Sequence, residues 1–348
     1  MHQHRRHAVG VVVGEAAARR PRWPTPDRWT RTILTALPRN AALITAGALA
    51  LFIAGLVVAG VMLIVIASYR QNVHAYPSGG GDYEVASTNL GPKAGLTVAS
   101  ALLVDYVLTV AVSISSGVQN AAAAFPWLRG HEVLGALALV AALTGMNLRG
   151  VRESGKAFAI PTYLFMLSVV GMALVGLVRR ATGSLPPAES AALTLAPEPG
   201  MEQLGTLAMA FLLLRAFSSG CAALTGVEAI SNGVPAFRKP KSRNAATTLL
   251  LLGGIAITLF MGIIMLAKAT GVQIAERPQE QLVGAPADYH QRTLVAQLAD
   301  AVFHDFPVGL YLIAGVTALI LVLAANTAFN GFPVLGSILS QDRYLPRQ

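Results

Sequence analysis

AGLTVASALLVDYVLTVAVSISSG, residues Ala94 to Gly117, decides how the rest of the chain is read. It is apolar over about 24 residues, long enough to cross a hydrocarbon layer of roughly 30 Å as a helix. An acid, Asp105, nevertheless sits near its centre. An ionised carboxylate at that depth costs about 2.5 to 3.5 kcal/mol, so it needs a partner, a proton or a bound cation. At about 100° per residue, Tyr106, Thr109, Ser113 and Ser116 follow Asp105 within one narrow polar sector, and the rest of the helix is mostly Leu, Val and Ala. Two readings fit. One is a seam of hydroxyls packed against neighbouring helices. The other is a site or path for a hard cation or a proton, which an acid and several hydroxyl oxygens on one face would suit.

The composition around this stretch is that of an integral membrane protein. Of 348 residues, 54% are hydrophobic and 12% charged, with a mean hydropathy of +0.57; soluble domains carry about twice that share of charge. A net charge of +9 would suggest nucleic acid in a soluble chain. Here the basic residues lie between apolar runs, where they set membrane orientation, so no nucleic-acid partner is expected. The single Cys221 leaves neither an internal disulfide nor a thiol metal cluster. The apolar run near the start, Ala8 to Val13, is too short for a signal-peptide core.

Apolar runs predict seven spanning helices, at 41–67, 94–117, 133–147, 157–178, 202–234, 245–266 and 308–329. The chain thereby divides into a basic, proline-containing disordered segment at 1–40, a transmembrane transporter domain at 41–340 and a cytoplasmic tail at 341–348. Tyr69 and Arg70 read as interface anchors at the end of the first span, and Pro77 with Gly79 to Gly81 forbids a continuous helix beyond it. The third span is short, and the fifth is too long for one straight helix. Lys and Arg are concentrated in 68–93, 148–156, 235–244 and the tail, which places those segments in the cytoplasm. The Arg-rich first 40 residues violate this alternation, and the expectation is that a preceding helix has been lost through a wrong start or a frame error.

The second acid at membrane depth is Glu228, in SSGCAALTGVEAISNG. If the fifth span unwinds near Ala223 to Gly226, backbone carbonyls and the Thr225 hydroxyl become free to coordinate an ion. Glu228 is then a candidate proton carrier, since a carboxyl in low dielectric can trade a proton near neutrality. The competing reading pairs Glu228 with Arg238 or Lys239 at the cytoplasmic surface. Arg215 reads as a snorkelling or helix-pairing residue, and Asn326 with Asn330 as glue between helices. His74, His131, His290 and His304 fall in loops without metal-ligand spacing, and Gly79 to Asp82 lacks the Lys-Ser/Thr of a nucleotide loop. Neither a metal, a resident cofactor nor an enzyme activity is expected.

Five motifs in order carry a resemblance: SYRQNVHAYPSGGGDYEVASTNLG, LLVDYVLTVAVSISSG, NLRGVRESGKAFAIPTY, FSSGCAALTGVEAISNGVPAFRKPKS and NTAFNGFPVLGSILSQDRYLPRQ. From about Ala41 to Gln348 the chain resembles the amino acid-polyamine-organocation (APC) superfamily of permeases, in the KimA/KUP-like branch of potassium importers. The resemblance implies an all-α integral membrane fold, a partial LeuT-like inverted-repeat bundle whose broken helices face each other at the substrate site. It implies that Asp105, Tyr106, Thr109, Ser113 and Thr225 line the potassium pathway and that Glu228 couples protons. It implies further a multi-pass protein of the cell membrane whose cargo is potassium and a proton, with the lipid bilayer around it. The seven spans correspond to family helices two to eight, so the first helix and those from nine onward, which mediate homodimer contacts in the full-length potassium branch, have no counterpart. Three functions stay open: proton-coupled potassium uptake, a proton-coupled amino acid permease of the same superfamily, and a non-transporting fragment.

Overall fold

The computed structural model describes residues 54–79, 81–149, 155–195, 214, 226–286 and 289–346. The expectations for 1–40, for Arg215 and Thr225 and for the first half of the fifth span lie outside these residues. The described residues are all-α apart from one two-residue strand pair, β1 (Thr194–Leu195) with β2 (Leu282–Val283), antiparallel with Thr194 opposite Val283.

Among the described residues five helices are long and apolar enough to cross a membrane: α1 (Ala54–Ala75), α3 (Pro92–Ala124), α5 (Gly155–Ala181), α7 (Lys241–Thr270) and α9 (Val308–Gln341). A shorter apolar helix, α4 (Glu132–Leu148), has 17 residues, close to the length read from its sequence. Among the described residues the shorter helices are α2 (Gly81–Leu90), α6 (Val227–Asn232) and α8 (Leu294–Val302), with a single helical turn at Pro278–Gln281. Large side chains such as Ile64, Val112, Leu167 and Leu251 stay exposed on the spanning helices, as expected where lipid rather than water is the solvent.

Several helix ends depart from the sequence reading. α1 runs past Tyr69 and Arg70 to Ala75, so Tyr69 is an interior residue of that helix and not its interface anchor. The loop expected at 68–93 contains α2, entered through Gly79 and Gly81, both at positive φ that an L side chain rarely adopts. The loop expected after the sixth span contains α8. Its Thr293 hydroxyl caps the helix by accepting from Ala296 N at 3.3 Å, and Leu298, Ala299 and Val302 are buried against Val169 and Met172 of α5, Leu266 of α7 and Ile313 of α9.

The last span, α9, reads as 308–329 in the sequence, with Gly331 and Pro333 beyond its end. It continues to Gln341. Proline removes one backbone donor, yet packing on both sides of it outweighs that loss. Ala328, Leu335 and Leu339 are buried in one cluster with Tyr83 of α2 and with Ala99 and Tyr106 of α3.

The two ends of the bundle are tied separately. On the face that the Lys and Arg distribution assigns to the cytoplasm, Tyr83 donates to Asp342 at 2.6 Å. On the opposite face Thr293 donates to Asn120 of α3 at 2.9 Å, and Arg179 of α5 pairs with Asp305 at 2.7 Å. Between them α3 and α9 pack together over much of their lengths.

Candidate functional site

Where α3, α6 and α9 meet they enclose a cavity of about 450 Å³. α3 contributes Asp105, Tyr106 and Thr109, α6 contributes Glu228 and Asn232, and α9 contributes Thr327, Asn330 and Gly331. Both intramembrane acids therefore open onto one space. The polar sector of α3 explains its share, because Asp105 and Thr109 stand one turn apart. Ser113, a further turn along, is buried but does not line the cavity, and Thr225 lies outside the described residues.

Glu228 reaches the cavity because of the residue two positions before it. Gly226 has φ 99°, in the left-handed region, and α6 starts immediately after it. Among the described residues no atom crowds the place a side chain would occupy there, and what the glycine supplies is its backbone conformation. Glu228 thus falls in the first turn of a short helix, and it lines the same space as the Tyr106 hydroxyl, on which it acts.

The charges around the cavity are of one sign. Asp82 and Asp105 act on Glu228 as like charges, and among the described residues no Lys or Arg lines the space. Arg238 and Lys239, the alternative partners read from the sequence, are not among the groups acting on Glu228. Carboxylates gathered at membrane depth repel one another unless a proton or a cation sits among them. Oxygen donors are at hand from Tyr106, Thr109, Thr327 and Asn330, which suits a hard cation.

Asp82 was missed from the sequence. It follows three glycines in a polar segment, where an acid carries no signal of its own, and only the fold brings it to Glu228. Tyr69, read as an interface anchor, holds it: the hydroxyl lies 2.7 and 2.6 Å from the two Asp82 carboxylate oxygens. The two asparagines of α9, read together as glue, have separate fates. Asn326 accepts from Asn147 of α4 at 2.9 Å, whereas Asn330 lines the cavity. A second groove, about 510 Å³ between α5 and α7, is walled mainly by Val, Leu and Met and holds none of these groups.

Comparison with known proteins gives the family. The family model described as amino acid permease matches residues 31–348. Among curated proteins, the potassium transporter KimA of Bacillus subtilis (strain 168) is 47% identical over 287 residues, which is 82% of this chain and 44% of that protein. The chain therefore spans under half the length of this relative.

Proposed function

The chain belongs to the amino acid permease family, a family of multi-pass membrane transporters, and from that premise we propose that it takes up potassium coupled to protons. The observation that carries this reading is the shared cavity: Asp105 and Glu228 face one space lined by hydroxyl and amide oxygens and, among the described residues, by no basic group. A partly dehydrated potassium ion exchanges water oxygens for these donors, while Asp105 supplies the compensating charge. Glu228 carries the proton, and its place beside Tyr106 on the same cavity links the two events, because gaining or losing that proton changes the charge the hydroxyl beside the ion faces. The 47% identity to a potassium transporter supports the choice of cargo.

An amino acid permease is the second reading, favoured by the description of the matching family. A substrate carboxylate would enter a space already lined by Asp105 and Glu228, with Asp82 close enough to act on Glu228, against like charge. Expression in a strain deficient in potassium uptake separates the two. Growth restored at low potassium, with rubidium uptake indifferent to added amino acids, supports potassium. Amino acid uptake without rubidium uptake overturns it.

A further inference from the structure

We infer that Asp82 is a third carboxylate of the same pathway, a positioning residue that receives the cation on its way from the cavity to the cytoplasm. This rests on the potassium reading above and adds a residue and a direction to it. Three observations converge on the position. First, α2 is pressed against the cavity wall: Gly81 backs directly onto the side chain of Asn232, so closely that a methyl group there would collide with it, and Asn232 lines the cavity. Asp82, the next residue, thus stands just behind that wall.

Second, the carboxylate is held. Tyr69 on α1 reaches both of its oxygens, at 2.7 and 2.6 Å, which fixes the group while leaving lone pairs for another partner. Third, Asp82 is placed among the charged groups of the site: it acts on Glu228 of α6 and on Tyr106 of α3 as well as on Tyr69. It also lies on the side whose loops are rich in Lys and Arg, and Tyr83 beside it is tied to Asp342 at the same end of α9. A cation leaving Asp105 and Glu228 for that side meets this carboxylate next.

The test is rubidium uptake by the full chain in proteoliposomes, with four variants. Asp82→Asn is expected to lower kcat about tenfold while KM moves less than about threefold, the pattern of a lost step after binding. Asp82→Glu is expected to restore more than half of the lost rate, and Tyr69→Phe to lower kcat in the same direction by less. Tyr83→Phe cuts the neighbouring bond to Asp342 without touching Asp82, and is expected to reduce thermal stability but not kcat. If Asp82→Asn keeps the wild-type kcat, or if it and Tyr83→Phe have the same effect, the inference is overturned while the potassium reading stands. If the unmodified chain takes up no rubidium, the potassium reading fails and this inference goes with it.

Discussion

The ring of Tyr106 on α3 lies against the backbone of Gly331 on α9, so that a methyl group at position 331 would stand 3.0 Å from Cζ. This contact sets where the Tyr106 ring stands in the cavity that it shares with Glu228. Gly331→Ala is therefore expected to displace the ring at a cost of about 1 to 3 kcal/mol, typical of a small overpacked side chain. The measurements are thermal unfolding in detergent together with rubidium uptake. Both are expected to fall, whereas Gly336→Ala, whose added methyl meets no atom of the described residues, is the matched control that lowers neither.

Asp105 and Glu228 share a cavity, and the proposed function gives them different roles, so their amide variants should separate. Asp105→Asn removes the charge that faces the cation and is expected to raise KM for rubidium by about tenfold or more. Glu228→Gln removes the proton carrier, leaving uptake slow and insensitive to a protonophore or to the external pH. Initial rates measured against rubidium concentration, with and without a proton gradient, distinguish the two patterns.

How much of this was legible beforehand follows the solvent. Inside lipid a helix must satisfy its own backbone, so long apolar runs announced α3, α5, α7 and α9, and a lone acid within such a run announced Asp105. Outside lipid the signal weakens. The end of α1 at Ala75 and the passage of α9 through Pro333 are fixed by contacts between helices distant in sequence, such as Tyr69 with Asp82 and Leu335 with Tyr106. Asp82 was unreadable for the same reason, since an acid in a glycine-rich polar segment looks ordinary until α2 is folded onto α6.

On the face opposite the basic loops, Thr293 does two things with one hydroxyl: it accepts from Ala296 N to cap α8 and donates to Asn120 of α3. Thr293→Val loses both and is expected to destabilise the fold by about 1 to 2 kcal/mol, whereas Thr293→Ser keeps both and costs only a few tenths. Asn120→Ala breaks the inter-helix bond but leaves the cap, and should fall between them. Midpoints of thermal unfolding for the three variants check the order.

The Tyr83 bond to Asp342 carries a pH signature that can be read without transport. Burial and the Asp342 carboxylate beside it push the Tyr83 hydroxyl up to about 12 from its usual 10.0. A folded-state value above the unfolded one means that the folded protein holds this proton more tightly. The stabilisation is complete below pH 10 and is lost as the pH rises from there through about 12, where the ionised ring would face a carboxylate 2.6 Å away. Unfolding midpoints should therefore fall across that window in the unmodified chain. In Tyr83→Phe, which has no proton to lose, the midpoint starts lower and the fall is shallower. An equal fall in both would show that other groups govern alkaline unfolding and that the link between α2 and the end of α9 contributes nothing to it.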